Sequence, residues 1–254
     1  MKTPAQVAFL PVSGGGDLDL FAIAVDSSSG DVLATGWTTD PALANAAGSA
    51  QSQPGGSPTA SDAVVVRVDP TLTVWKQSTY FGGIDDDYAY GIAVDPSSGD
   101  VYITGETLSV DLPGVSEGAP PQSTGRFAGF VARLDSTLTR LDRATYDRGS
   151  GDDTPLAMTI PPAGGEVIVA GTSTSPDLPG TACGALFRYS GGSPDFGGDG
   201  FVTLFSADLS DGTGQSCGSG RVPIEVGSRP GEPRSVTRPA GTEAPASRAE
   251  GVDR

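Results

Sequence analysis

The chain has 254 residues, of which 37 are Gly and 21 are Pro, and its formal net charge is −16 with no histidine. This acidic balance disfavours binding to nucleic acids and to anionic membrane surfaces, because both partners are negatively charged. No run of about 18 apolar residues occurs, which excludes a transmembrane helix, and the absence of histidine excludes a histidine-based triad and a histidine-ligated zinc site.

Three segments of the chain share one succession of turn, strand, turn and strand. They are residues 14–37, 80–106 and 146–172. Gly36, Gly105 and Gly171 occupy the same place in the three segments, at intervals of 69 and 66 positions. A repeat of this length is typical of a propeller or solenoid unit.

Each repeat is predicted to supply four short strands, because apolar and β-branched runs alternate with clusters of Gly, Pro, Asp and Ser. In the first repeat the strands are residues 21–26, 32–37, 63–68 and 73–81, and in the second they are 90–95, 101–106, 127–134 and 138–146. In the third repeat they are residues 156–160, 166–172 and 185–189, with a fourth strand delayed to 201–205.

Several of these strands are apolar on consecutive positions, as in residues 64–66 and 130–132. This pattern indicates burial on both faces, so each sheet is expected to lie between two others. The sequence therefore predicts an all-β, propeller-type array of about three four-stranded blades, at residues 12–80, 81–146 and 147–206. A β-sandwich is the alternative, which accounts for the strands but not for the period.

Three blades are fewer than the four to eight that close a propeller. One blade face has an area on the order of 400 Å², and leaving it in water costs up to roughly 10 kcal/mol. We therefore expect either additional blades or self-association of copies that closes the ring. Residues 6–11 are predicted to be the last strand of a preceding blade, which favours a longer array. Residues 1–11 do not form a complete secretion signal.

The C-terminal segment, residues 207–254, is rich in Gly, Ser, Pro and Arg. From Gly227 onwards it has almost no large apolar side chain, so it is predicted to be disordered. The two cysteines, Cys183 and Cys217, could form one disulfide, and two free thiols are equally compatible with their number.

Aspartates recur before the first strand of each repeat. The candidate metal ligands are Asp85, Asp86, Asp87, Asp152 and Asp153. Carboxylates gathered in one loop suit calcium, which takes six to eight oxygen ligands. The alternative, which we favour, is that each Asp accepts hydrogen bonds from its own backbone and fixes a turn. No other cofactor is predicted.

The second repeat is also rich in aromatic residues, namely Tyr80, Phe81, Tyr88, Tyr90 and Tyr102. They could form a platform on which carbohydrate stacks, but packing between blades is the interpretation that we favour, because aromatic rings bury a large area. In the same repeat, Asp86 and Glu106 are candidates for a carboxylate pair that cleaves a glycosidic bond.

Five segments of the second repeat carry a family resemblance, namely residues 79–83, 85–95, 101–105, 111–113 and 130–134. In these segments the second repeat resembles the bacterial seven-bladed β-propeller (SBBP) repeat. The first repeat has Thr39-Asp40-Pro41 where the second has Asp111-Leu112-Pro113, and the third has Ile160-Pro161 where the others have Val-Asp. Residues 188–203 look like one copy of a second bacterial repeat, called delta-60. The resemblance implies a propeller in an exported or surface protein, in the extracellular space or the cell envelope, and it carries over no catalytic residue.

Three functions are compatible with the sequence. The first is a non-enzymatic scaffold that presents the loops at residues 38–62 and 108–126 to a protein or glycan partner. The second is a carboxylate-dependent glycosidase or lyase. The third is a structural module that calcium stabilises.

Overall fold

The computed structural model describes residues 8–115, 127–179 and 198–210, and the structural statements that follow concern these residues. They form eleven β-strands, and among them no helix is long and apolar enough to cross a membrane. Predicted strand positions agree with the observed ones to within about three residues where both can be compared.

The eleven strands form three antiparallel sheets. Sheet 1 has the order β1 (Leu18–Val25), β2 (Val32–Thr38), β3 (Asp62–Val68) and β4 (Trp75–Phe81). Sheet 2 has the order β5 (Asp87–Val94), β6 (Val101–Thr107), β7 (Ala128–Leu134) and β8 (Leu141–Asp147). Sheet 3 contains β9 (Asp153–Thr159), β10 (Glu166–Ser173) and β11 (Asp199–Ser206), with β10 in the middle.

The last strand of sheet 3 is not where the sequence places it. β11 pairs directly with β10, with Gly171 opposite Phe201, just as Gly105 lies opposite Phe130 in sheet 2. Residues 201–205 are therefore the third strand of the repeat, and their prediction as a fourth strand is wrong. The third strand predicted at residues 185–189 lies outside the described residues.

The turn after β11 belongs to sheet 3. Leu209 has a positive φ of 51° and is buried, and Leu72 and Leu138 have the same conformation in the corresponding turns of sheets 1 and 2. Residues 207–210 therefore pack on the third sheet instead of starting the C-terminal tail. Residues 211–254, with Cys217, and residues 180–197, with Cys183, lie outside the described residues.

The repeated glycine that reveals the period is required by a β-bulge in the neighbouring strand. The pairing of β5 with β6 shifts register between Ala89 and Gly91, next to Gly105. A Cβ atom built on Gly105 would lie only 1.9 Å from the carbonyl oxygen of Tyr88. Gly36 and Gly171 have the same close approach, so no larger residue fits at this position.

The three sheets stack in sequence order. Val65 of sheet 1 and Ile92 of sheet 2 belong to one buried cluster, and Val131 of sheet 2 and Val169 of sheet 3 belong to the next. β5 packs on β1, β2 and β3, and β9 packs on β5, β6 and β7, so the first strands β1, β5 and β9 form a common inner edge. This arrangement confirms the all-β, open propeller-type array. It is a stack of three sheets, unlike a two-layered sandwich.

The connections differ between the two ends of the sheets. At one end, short turns join the strands within each hairpin. Aspartates fix the hairpin turns of sheets 1 and 2; Asp26 Oδ1, for example, accepts the N–H of Ser28 at 2.9 Å. The turn between β9 and β10 has no aspartate and is closed by the N–H of Gly164, which donates to the carbonyl of Pro161 at 2.8 Å. At the other end, the second and third strands are joined by long connections, of which the structure describes residues 39–61, 108–115 and 174–179. Function is usually found in such long connections on a rigid frame.

The first long connection is largely structural. Leu43 and Ala46 are buried against Val64 on the outer half of sheet 1. The N–H of Ser78 donates to the carbonyl of Asn45 at 3.1 Å, so the connection also pairs with the edge of β4. Its exposed residues are 41, 42, 45, 47 and 48, and then 52, 53, 55 and 57–59.

The strand predicted at residues 6–11 is not formed in the part of it that the structure describes. Residues 8–11 have no strand conformation, and Leu10 packs against the same cluster as Leu43. Residues 6 and 7 lie outside the described part of the chain.

Candidate functional site

Aromatic side chains gather at the inner edge of the sheets. Phe21 and Tyr90 are the extra residues of equivalent bulges in β1 and β5, and their ring centroids are 5.5 Å apart. A bulge turns its extra side chain out of the regular alternation. Here it brings two rings from neighbouring sheets together, and Phe21 remains 52% exposed.

A second group of rings lies beside the first. Tyr88, two residues before Tyr90, contacts Trp37 of β2 edge to face at 6.0 Å and Phe127 at 6.4 Å. All three side chains are half-buried. We call Phe21, Trp37, Tyr88, Tyr90 and Phe127 the inner aromatic cluster.

One carboxylate accompanies this cluster. Glu106 accepts the hydroxyl of Tyr90 at 2.8 Å and the hydroxyl of Thr154, in sheet 3, at 2.7 Å. Burial, together with this hydrogen bond and the charge of Glu106, raises the pKa of Tyr90. Glu106 occupies the repeat position of Trp37, so the inner edge changes from aromatic in sheet 1 to acidic in sheet 2.

The other aromatic residues of the second repeat belong to the core. Phe81 packs on Phe130 with centroids 5.1 Å apart, and Tyr102 packs in the cluster between sheets 2 and 3. Tyr80 is buried and its hydroxyl donates to the carbonyl of Asp40 at 2.6 Å. The predicted platform therefore divides: Tyr88 and Tyr90 join the inner aromatic cluster, and the remaining three are packing residues.

Asp86 and Asp152 connect neighbouring sheets. Asp86 Oδ1 accepts the N–H of Ser61, the residue before β3, at 2.8 Å, and the N–H of Asp87 donates back to the carbonyl of Ser61 at 2.7 Å. Asp152 and Asp153 form the same pair of bonds with Phe127, the residue before β7, each at 3.0 Å. We call this pair of bonds the inter-sheet clasp.

Asp87 and Asp153 are buried acceptors within their own repeats. Asp87 accepts the N–H of Gly83 at 2.8 Å and the hydroxyl of Ser109 at 3.0 Å, and it also accepts the hydroxyl of Thr107. Asp153 accepts the corresponding bonds from Gly149, Ser175 and Ser173.

In the first repeat, a different aspartate accepts the N–H of the equivalent glycine. Leu18 stands where Asp87 and Asp153 stand in the other repeats, and Asp40 Oδ1 instead accepts the N–H of Gly14 at 2.7 Å. Asp40 is fully buried. The departure from the Asp-Leu-Pro pattern at Thr39-Asp40-Pro41 is therefore a substitution of one carboxylate for another at the same amide.

The buried carboxyls of Asp62, Asp87 and Asp147 have raised pKa values. Burial raises the pKa of Asp62 to about 6, that of Asp87 to about 7 and that of Asp147 to about 7. The charge of Asp153 adds to the effect at Asp147, whose Oδ2 has no hydrogen-bond partner. These groups are nearly inaccessible to solvent, so their protonation bears on the stability of the fold.

The five candidate calcium ligands are not brought together as one ligand set. Asp86, Asp87, Asp152 and Asp153 each accept protein donors, and only Asp85, whose N–H donates to Ser109 Oγ at 2.9 Å, is exposed. No group of three acidic side chains suited to a metal ion occurs among residues 8–115, 127–179 and 198–210. The calcium hypothesis stays a prediction.

The carboxylate-enzyme hypothesis gains no observation from the described residues. Asp86 is part of the inter-sheet clasp, and Glu106 is held by Tyr90 and Thr154. A cavity of about 210 Å³ lies between sheets 1 and 2, lined in part by Gln51, but neither carboxylate lines it. Cleavage of glycans by this pair stays a prediction.

Phe21, Trp37 and Phe127 are members of the inner aromatic cluster that sequence reasoning missed. Trp37 and Phe127 stand at repeat positions where another copy has no aromatic residue, namely Glu106 in place of Trp37 and Ser61 in place of Phe127. The available signal was the alignment of Phe21 with Tyr90, which the interval of 69 positions provides.

A scan against protein-family models finds a match in the second repeat. Residues 78–113 match the family model described as "Beta-propeller repeat" (SBBP), from the end of β4 through β6 to Pro113. This match confirms the resemblance of the second repeat, and the delta-60 resemblance of residues 188–203 stays a prediction. The comparison with curated proteins gave no match.

Among solved structures, the chain is similar to a structure of the Dos1 propeller. The identity is 16% and the TM-score is 0.32, over 61% of this chain and 29% of that one. The chain thus spans less than a third of the length of that propeller.

Proposed function

We propose that this chain is a non-enzymatic β-propeller repeat scaffold of an exported or cell-surface protein, and that it binds a glycan at the inner aromatic cluster. The observation that carries the proposal is the group of five aromatic rings, partly exposed and joined across two sheets. The exported or surface location rests on the SBBP resemblance.

The chemistry of the cluster suits a sugar. The apolar face of a sugar ring packs on aromatic faces, while its hydroxyls need hydrogen-bond partners at the rim. Glu106 lies beside Tyr90 and accepts one hydroxyl on each of its oxygens, and a carboxylate has about four lone-pair sites, so it can accept more. The net charge of −16 disfavours acidic sugars, so we expect a neutral glycan.

The rings are also held in place before a ligand arrives. Phe127 is fixed by the inter-sheet clasp through its backbone, and Tyr90 is fixed by Glu106. Preorganised side chains lose little conformational entropy on binding, which favours affinity.

The fluorescence of Trp37 can report glycan binding directly. The chain has two tryptophans, Trp37 and Trp75, so the variant Trp75→Phe leaves Trp37 as the only one. We expect neutral oligosaccharides, tested as a panel beside acidic ones, to shift the fluorescence of Trp37 in a saturable way.

A matched pair of variants tests the location. In the Trp75→Phe background, Tyr88→Ala is expected to weaken binding by at least about tenfold. Phe9→Ala removes a ring that is 90% exposed and outside the cluster, and it is expected to leave affinity unchanged. Equal losses in both variants, or no response to any glycan by folded protein, would overturn the proposal; in the second case a protein ligand becomes the alternative.

A further inference from the structure

Two sheet faces in the described array have no sheet packed on them. Each sheet has a first face, which in sheets 2 and 3 packs on the preceding sheet, and a second face, which in sheets 1 and 2 packs on the following one. The first face of sheet 1 near the inner edge, and the second face of sheet 3, lack such a neighbour within residues 8–115, 127–179 and 198–210.

Residues at the same repeat position differ in exposure between the covered and the uncovered sheet faces. On the first face, Ile23 is 72% exposed, whereas Ile92, at the same repeat position, is 6% exposed against sheet 1. On the second face, Val202 is 74% exposed, whereas Val65 and Val131 are 0% exposed. Both end faces keep the apolar residues that a neighbouring sheet covers elsewhere in the same chain.

The inter-sheet clasp has an open half at each end. Asp17 occupies the position of Asp86 and Asp152, and its carboxylate accepts no clasp bond within the described residues. Gly198 precedes β11 as Ser61 precedes β3, and its N–H donates no clasp bond in the same part of the chain. The two halves therefore match each other chemically.

The close approach of first strands is also preserved. At the inner edge, Ala22, Gly91 and Ala157 share one repeat position, and a Cβ on Gly91 would lie 3.2 Å from the backbone of Ala157. A small residue here lets the next first strand pack closely. Ala157 keeps this feature on the exposed second face of sheet 3.

We propose that a second copy of this chain docks head to tail, with its sheet 3 packed on the first face of sheet 1. Ile23 then takes the place that Ile92 has against sheet 1, and Asp17 accepts the N–H of Gly198 of the second copy. Two copies joined at both ends have six blades, which lies within the four to eight that close a propeller. The interface repeats one that the chain already makes twice within itself.

Net charge opposes this association. Two copies of a chain with charge −16 repel each other, and salt screens the repulsion, with a Debye length of about 8 Å at 0.15 M and about 3 Å at 1 M. We therefore expect the dimer to be stronger at higher salt.

The test is the solution mass of the full 254-residue chain, measured by light scattering over a range of concentrations and salt. We expect twice the 25.5 kDa of one copy. Ile23→Asp and Val202→Asp are each expected to raise the dimer dissociation constant at least about tenfold, since each places a charge in both interfaces. Val74→Asp, at a residue 54% exposed outside these faces, is the matched control and should keep the dimer.

A mixture of the two variants tests whether the copies dock head to tail. A head-to-tail dimer of Ile23→Asp with Val202→Asp has one interface free of substitutions, so the mixture should recover dimer that neither variant forms alone. Circular dichroism checks that each variant is folded. A monomeric wild-type chain at high concentration and salt, as expected if further blades of a longer polypeptide cover these faces, would overturn the proposal, as would a dimer insensitive to both variants or a mixture without recovery.

Discussion

The hydroxyl of Tyr80 joins β4 to the first long connection, because it accepts the N–H of Leu43 at 2.7 Å and donates to the carbonyl of Asp40 at 2.6 Å. Tyr146 forms the same two bonds in sheet 2, to Leu112 at 3.4 Å and to Ser109 at 3.0 Å. One buried hydroxyl thus satisfies two backbone groups in each of these repeats.

Replacing Tyr80 by Phe is expected to destabilise the protein by about 1–3 kcal/mol, because two buried backbone groups lose their partner. Tyr146→Phe should cost less, since the bonds of Tyr146 are longer. Urea unfolding followed by circular dichroism measures both. Equal or smaller losses at Tyr80 would contradict this account.

Asp86→Ala is expected to destabilise the protein by about 1–2 kcal/mol, because it removes the side-chain half of the inter-sheet clasp and leaves the N–H of Ser61 without its acceptor. Asp85→Ala is the control, since Asp85 is exposed, and it should change the free energy of unfolding by less than about 0.5 kcal/mol. Equal losses in the free energy of unfolding for Asp86→Ala and Asp85→Ala would contradict a stabilising role of the inter-sheet clasp.

The fold of each repeat could be predicted because its signals are local. Turn residues and β-branched runs gave the strands of sheets 1 and 2, and the repeated glycine gave the period. The role of Asp86 could not be predicted, since its partner Ser61 lies in another repeat and is reached only after the sheets stack. The order of sheet 3 was missed because the long connection hid the match of Gly200-Phe201-Val202 with Gly129-Phe130-Val131. The inner aromatic cluster was missed in part because unlike residues supply it.

Stability is expected to fall as pH rises from about 4 to about 7. An Asp titrates near 3.9 when unfolded, whereas burial raises the folded pKa of Asp147 to about 7. The folded state then binds the extra proton, so this contribution is complete below about pH 4 and is lost as pH rises through about 7. Asp62 and Asp87 act in the same direction.

Asp147→Asn tests this origin. The amide keeps the shape of the protonated carboxyl without its ionisation, so the variant should be more stable than the wild type at pH 8, by about 1–3 kcal/mol, with a shallower pH dependence. Urea unfolding at several pH values measures it. An unchanged slope between pH 4 and 7 would show that Asp147 is not the source.

Stability should fall again at low pH for a different reason. Burial opposes it, but hydrogen bonds from Ser28 and Ser29 together lower the pKa of Asp26 to about 2. The contribution of Asp26 is present above about pH 4 and is lost as pH falls through about 2. The same unfolding series, extended to pH 2, should therefore give a stability maximum near pH 4–5.

Chelation of calcium is expected to leave the melting temperature unchanged. The carboxylates of Asp87 and Asp153 are already satisfied by hydroxyl and amide donors, so an ion would have to displace them. Melting curves with excess calcium and with chelator measure the difference. A melting temperature that rises with calcium would restore the calcium hypothesis.

The first long connection lies at the end of sheet 1 opposite its tight turns, and the two ends therefore differ in how far they can be engineered. Gly55 and Gly56 lie against the backbone of Gly82 and Ile84, so these two glycines must keep their size. Residues 57–59 are exposed, so a foreign peptide inserted there would be displayed on a stiff base. At the opposite end of sheets 1 and 2, an insertion would break the hydrogen bonds by which Asp26, Asp69, Asp95 and Asp135 fix the tight turns. In a ring of such units, the inserted peptides would all project from the same side of the ring.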